Sequence, residues 1–308
     1  MTSVNHAASN SARSPLKNGA ADRRSTDASV LNALKLARTG RVHSLALARF
    51  PGMPLWSGHP EFQVLTYRSP QGLRAAKVKA WPGDNEANLG YVAETVSGSV
   101  HTGAHIDAHA HMTIGSDDHW HGGSAQTDLG DFGPLKGDAS ELEPILARGV
   151  LYDVPRHRGS DSLGKGEPVT AQELQEIGRK NGITEPGPGD VVLIRTGYLH
   201  HWPDPEKLAQ HAGAGPDLSA ADWLAEREVY ATGTDTEAYE VQPPPERGHP
   251  SNPQPVHTRL LIERGIFLLE SLFLEELGAA GVTEFLFIAL PLKIKGATGS
   301  MVDPVAIV

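Results

Sequence analysis

From about Ser140 to the C-terminus, short apolar runs alternate with segments of helical period. GVLYDV (149–154), VVLIRTG (191–197), VYATGTD (229–235), IFLLE (266–270), EFLFIAL (284–290) and VAIV (305–308) read as compact strands. Between them, AQELQEIGRKNG predicts a helix opened by a capping box of Thr170 and Glu173, and AADWLAERE a second one beginning near Ser219. A further helix starts near His257 and is stopped by Gly265, and LEELGAAG predicts another. The alternation gives an α/β fold.

The earlier part is written differently. SVLNALKLARTGRV predicts a helix with Leu31, Leu34 and Leu36 as its apolar positions and Gly40 as its end. Ser44 to about Val100 is punctuated by Gly and Pro, with FQVLTY and AAKVKA as short strands. Residues 1–27, rich in Ser, Ala, Asn and Arg, lack the apolar stretch of a secretory signal and read as a disordered tail, or as an arm ordered by a partner subunit. No linker divides the rest, so 28–308 is expected to form a single catalytic domain. YEVQPPPERGHPSNPQP (239–255) is Pro-rich and polar and predicts a long surface loop, of a length that is usually functional.

Composition narrows the chemistry. With 27 Lys+Arg against 37 Asp+Glu the net charge is −10, which gives no attraction to nucleic acid or to an anionic membrane and favours a small-molecule substrate. The apolar runs are far shorter than the ~20 residues of a membrane span. There is no cysteine, so a metal would be held by His, Asp, Glu or water. The same absence fits a cytoplasmic enzyme.

The densest chemistry lies in HTGAHIDAHAH (101–111), where His101, His105, Asp107, His109 and His111 all fall on odd positions. On a strand these share one face, whereas on a helix Asp107 would point away from His101 and His105. A straight strand at ~3.3 Å per residue would separate His101 from His111 by ~33 Å, so the chain must bend, and Gly103 is placed to allow it. Imidazoles and a carboxylate suit Zn²⁺ or Mn²⁺; such an ion lowers the pKa of its water to about 7, and a neighbouring free His moves protons. The plain alternative is a His-rich surface loop in a chain with 15 His.

Three kinds of metal site contain such a segment. IDAHAH is similar to the first strand of amidohydrolase barrels, but a (β/α)₈ barrel needs ~250 residues, and only 199 of the 308 follow His109. A cupin would need Glu shortly after HxH, and Ile114 and Gly115 stand there. The third is the cyclase family, which includes bacterial kynurenine formamidase and isatin hydrolase and carries HxGTHxDxxxH. His101, Gly103, His105, Asp107 and His111 match it in register, with Ala104 in place of Thr and His109 where a small, apolar or Pro residue is usual. RGVLYDV, GDVVLIRTGY, GTDTEAYE and VHTRLLIERGIFLLESL are similar to family blocks in the same order, so the chain resembles this family from about Leu31 to its end.

That resemblance implies a barrel-like mixed sheet flanked by helices, in a chain longer than typical bacterial kynurenine formamidases. It implies one or two divalent ions, Zn²⁺ or Mn²⁺, held by His101, His105 and Asp107, with Asp107 able to bridge two ions, His257 and Glu270 completing a second metal position or holding the site's protons, and His111 as general acid/base. The implied activity is cleavage of a C–N bond of an amide, lactam or N-formyl group by metal-bound hydroxide, in a homodimer or homotetramer. A cyclase or lyase using the same metal, or a non-catalytic metal-binding homologue, is the alternative. Asp235, Glu237 and Glu240 in GTDTEAYE follow a strand, where sites in α/β folds gather, although a carboxylate run is usually solvated. Thr298 and Ser300 lie in a Gly-rich loop that could stabilise an oxyanion or be a plain turn.

Overall fold

The computed structural model describes residues 26–248 and 250–308. Residues 1–25 of the expected tail lie outside them. The mixed α/β architecture is organised by a curled nine-stranded sheet. Its strands are β1 (Val42–Ser44), β4 (His105–Asp107), β5 (Ile145–Asp153), β6 (Val191–Arg195), β7 (Ala231–Thr234), β8 (Phe267–Glu270), β9 (Glu284–Ala289), β10 (Gly299–Met301) and β11 (Val305–Ile307). The spatial order is β1-β11-β9-β5-β6-β7-β8-β4-β10. Strands β5 to β8 are parallel and consecutive, and every pair outside them is antiparallel.

The two-residue period explains why the runs are apolar throughout. Leu151, Val191, Leu193 and Leu269 pack into one buried cluster with Phe285 and Phe287. Their neighbours Val150, Tyr152, Val192, Ile194 and Leu268 pack into another on the opposite face. Helices α4 (Ala171–Asn181) and α6 (Leu218–Glu226) cover that second face through Leu174, Ile177, Trp223 and Leu224.

Several predicted boundaries move, each for a local reason. Thr170 caps α4 by accepting from the Glu173 N–H, but the Glu173 carboxylate turns to Arg158, so the box is only half formed. Helix α6 is capped by Asp217, which accepts from the Ala220 N–H, two residues before Ser219. The first helix, α1 (Asp27–Leu34), starts at the Thr26 cap and ends well before Gly40, with Leu31 and Leu34 exposed and Ala33 buried. AAKVKA forms no strand: Ser69 caps α2 (Pro70–Ala75), Pro70 occupies its first turn, and irregular chain follows.

FQVLTY does form a strand, β2 (Gln63–Arg68), which among the described residues pairs only with β3 (Ala93–Ser97), in a separate hairpin. Both of its faces are largely exposed, with Leu65 at 56%, Tyr67 at 63% and Val96 at 56%. Among the described residues no helix is long and apolar enough to cross a membrane.

Candidate metal centre

Strand β4 carries His105 and Asp107 two positions apart, so both side chains leave the same face while Ile106 enters the core. In the antiparallel pairing of β4 with β8, His105 lies directly opposite Glu270. Opposed residues share a face, and Nε2 of His105 is 3.3 Å from Oε2 of Glu270.

The expected bend is present: the strand is confined to His105–Asp107, so the five odd positions do not share one strand face. Gly103 turns the chain at φ +62°, which brings His101 back over the strand. Arg49 holds this bend by donating to the carbonyls of Thr102, Ala104 and Val302. Nδ1 of His101 is within hydrogen-bond distance of Oδ1 of Asp107 at 2.9 Å, and its Nε2 of the Thr298 hydroxyl at 3.1 Å. After Asp107 the chain tightens into a 3₁₀ turn, His109–His111. Three residues per turn rotate successive side chains by about 120°, so His109 and His111 diverge. His111 returns to the centre, its ring 4.0 Å from that of His101 and Nε2 4.0 Å from Oδ1 of Asp107. His109 stacks on Phe267 instead, with Nε2 3.2 Å from the carbonyl of Gly265.

Of the distal residues, Glu270 ends the parallel strand β8 and His257 lies on a helix. The predicted helix at His257 is a short α7 (Pro255–His257) that widens into a π-helical turn, Thr258–Glu263. Nε2 of His257 is 3.2 Å from Oε1 of Glu270 and 3.9 Å from Oδ2 of Asp107. His101, His105, Asp107, His257 and Glu270 are all buried, and Asp107 is completely enclosed. Two sets present ligand atoms within 4.8 Å of one another: His101, Asp107 and His111, and His105, Asp107 and Glu270. Asp107 belongs to both.

Charge balance in the cluster follows from enclosure. Burial would raise the Asp107 carboxyl, but His111, His101 and His105 outweigh it and hold it far below the usual range. Burial and the charge of Asp107 would raise Glu270, and the contacts with His105 and His257 bring it down. Burial opposes protonation of His257, yet Glu240 and Glu270 push it up to about 10. His105 is likewise raised, with Glu270 and Asp107 overcoming burial. Burial dominates at His111 and takes it down to about 4.

The other polar candidates separate cleanly. Glu240 is fully buried, not solvated: it accepts from Nδ1–H of His257 at 2.6 Å and from the N–H groups of Val256 and His257 at 3.0 and 2.9 Å. Asp235 pins the loop after β6 by accepting from the N–H and hydroxyl of Thr196 and the N–H of Gly197 at 2.7–2.8 Å. Ser300 accepts from the Leu292 N–H and supports backbone alone. The 239–255 segment begins in the core, with Tyr239, Glu240 and Val241 buried, and only its later part is a surface loop.

Glu237 lines a cavity of about 550 Å³ with Trp56, Lys165, Tyr198, Glu240 and Gln254. A narrower cleft lined by His101, Gly103 and Ser271 shares Trp56, Tyr198 and Glu237 with it. His59, half-buried and stacked on His101 at 5.4 Å, stands beside the cluster and was not singled out by its sequence context. A lone His between Gly58 and Pro60 carries no spacing signal.

Residues 43–241, 199 of the 308, match the model of the Cyclase family, described as "Putative cyclase". The chain belongs to the cyclase family. The matched span includes His101, His105, Asp107, His111 and Glu240, while His257 and Glu270 lie beyond it. Among solved structures it is similar to one described as a novel cyclase, at 24% identity and a TM-score of 0.80, covering 94% of this chain and 96% of that one. Isatin hydrolase A from Labrenzia aggregata, bound to benzyl benzoate, is similar at 21% identity and a TM-score of 0.63, covering 90% and 98%. An isatin hydrolase bound to the product analogue thioisatinate is similar at 20% identity and 0.63, covering 92% and 99%. These likenesses establish the cyclase-family fold. No curated protein sequence gives a significant match.

Proposed function

We propose that this cyclase-family protein is a divalent-metal-dependent hydrolase that cleaves the C–N bond of a small amide, lactam or N-formyl compound. His101, His105, Asp107, His257 and Glu270 would hold one or two Zn²⁺ or Mn²⁺ ions. The observation that carries this reading is Oδ2 of Asp107, a completely buried carboxylate oxygen without a hydrogen-bond partner among the described residues, in a pocket walled by imidazoles and Glu270. Leaving such an oxygen unpaired costs several kcal/mol unless a cation satisfies it, and an all-N/O donor set suits Zn²⁺ or Mn²⁺.

A bound divalent ion supplies Lewis acidity, polarising a carbonyl and lowering the pKa of water to about 7. The side chains do the rest. His111, largely neutral at pH 7 with its imidazole at about 4, takes a proton at Nε2 from the attacking water and delivers it to the departing nitrogen. His101, whose ring lies 4.0 Å away, and Asp107 fix the position of that ring. Trp56 and Tyr198 offer apolar surface to the substrate body in the cavity that opens beside them. The names of the isatin hydrolases of similar fold support the lactam class.

We also infer a homodimer or homotetramer, supported by the β2–β3 hairpin, which exposes Leu65, Tyr67 and Val96 on a ribbon with no other sheet partner among the described residues.

The test is turnover of isatin and N-formyl aryl amides by the purified protein before and after chelation, run in ¹⁸O-labelled water. Chelator-sensitive turnover with one labelled oxygen in the product supports hydrolysis. Chelator-sensitive conversion without label would replace it with a lyase or cyclase reaction, and inactivity across amides, lactams and esters in the metal-loaded protein would contradict the enzyme reading.

A further inference from the structure

The proposed metal ligands His105 and His257 share one arrangement. Each ring has Nδ1 engaged on the far side and Nε2 facing Asp107 and Glu270; for His105 the outer partner is the Gly103 carbonyl at 2.7 Å. For His257 it is Glu240. We infer that Glu240 is a positioning residue of the metal centre, setting the tautomer and direction of His257 so that its Nε2 lone pair faces the ion; this rests on the metal-centre reading above.

A carboxylate only accepts hydrogen bonds, so the proton between Oε1 and Nδ1 at 2.6 Å belongs to the imidazole, and Nε2 is left as the donor atom for a cation. The same carboxylate accepts the N–H groups of Val256 and His257, the open donors of the short helix that presents the ring. Backbone and side chain of His257 are thus fixed from one group.

The backbone around Glu240 is built for this. Tyr239 sits at φ +52°, a conformation unfavourable for an aromatic residue, and is held there among buried neighbours with its hydroxyl 2.8 Å from Thr232. That turn aims the next side chain inward. Gly215 makes room for the chain here, since a Cβ on it would lie 2.3 Å from the Tyr239 carbonyl oxygen.

Glu240→Gln keeps the shape and offers one acceptor where there are two, and Glu240→Asp keeps the charge but withdraws it by one methylene. Zn²⁺ and Mn²⁺ affinity is measured by competition with a chromophoric chelator on folded protein, verified by circular dichroism, for wild type, both variants, His257→Ala and the Glu240→Gln/His257→Ala double variant. We expect each Glu240 variant to weaken affinity by about 10–100-fold, and Glu240→Gln to add no further loss once His257 is Ala. Affinity of both variants within twofold of wild type would overturn the inference, as would an equal loss in the His257→Ala background, which would mark Glu240 as a support of the fold alone. A wild type that binds no metal would instead remove the metal-centre reading on which this one stands.

Discussion

Oδ2 of Asp107 lies 3.9 Å from Nε2 of His257 and receives no hydrogen bond among the described residues, although the side chain is fully enclosed. Its other oxygen is 2.9 Å from His101 and 3.5 Å from His105. One carboxylate therefore faces imidazoles from both parts of the site, which suits a bridging ligand. Asp107→Asn keeps the volume and removes the charge. We expect it to lose bound metal and to lower kcat/KM by more than the ~100-fold upper range for residues that merely support a ligand; metal analysis beside steady-state kinetics checks this.

His111 is grouped by distance with His101 and Asp107, but the proposed mechanism gives it the proton rather than the metal. His111→Asn is expected to reduce kcat by ~10²–10⁴ while metal content stays at the wild-type level. Loss of metal from this variant would make His111 a ligand and require another proton carrier.

Without metal, Glu240 and Glu270 push the His257 imidazole up to about 10, so at pH 7 it carries a proton that a metal bound at Nε2 would have to displace. Its raised pKa stabilises the apo fold below about 6.5, the unfolded value, and that contribution is lost as pH rises through about 10. Metal loading at pH 7 should therefore release at least one proton, with apparent affinity rising about tenfold per pH unit for each proton displaced. Calorimetric titrations in buffers of different ionisation enthalpy count the protons. Zero release would contradict the ligand role of His257.

Space for His101 depends on a missing side chain. A Cβ on Gly299 would lie 2.5 Å from Cε1 of His101 and 2.9 Å from the Ile106 carbonyl oxygen. Gly299→Ala should cost ~1–3 kcal/mol of stability by overpacking and weaken metal binding by displacing His101. Thermal melting with and without metal separates the two effects.

Much of this was legible in the chain. The apolar runs at 149–154, 191–197 and 266–270 contain β5, β6 and β8 residues because strands buried on both faces need no polar alternation. His105 and Asp107 were readable as neighbours on one strand face, and Gly103 as the bend. What the pattern could not carry is where the chain turns afterwards: the 3₁₀ turn that recruits His111 and sends His109 to Phe267 depends on tertiary packing. Glu240 read as one of three carboxylates in a polar run, and only the fold places it against His257. His59 gave no signal because its contact with His101 spans 42 residues of irregular chain and a hairpin.

The central claim is a metal centre, and the direct measurement is divalent-metal content per chain, by mass spectrometry, of the purified protein and of His105→Ala. Nε2 of His105 stands between Asp107 and Glu270, so its loss should cut bound Zn or Mn sharply while the fold persists by circular dichroism. A wild type that carries no Zn or Mn above background, even after incubation with either ion, would contradict the account and leave the Asp107–Glu270 cluster a buried ion-pair network.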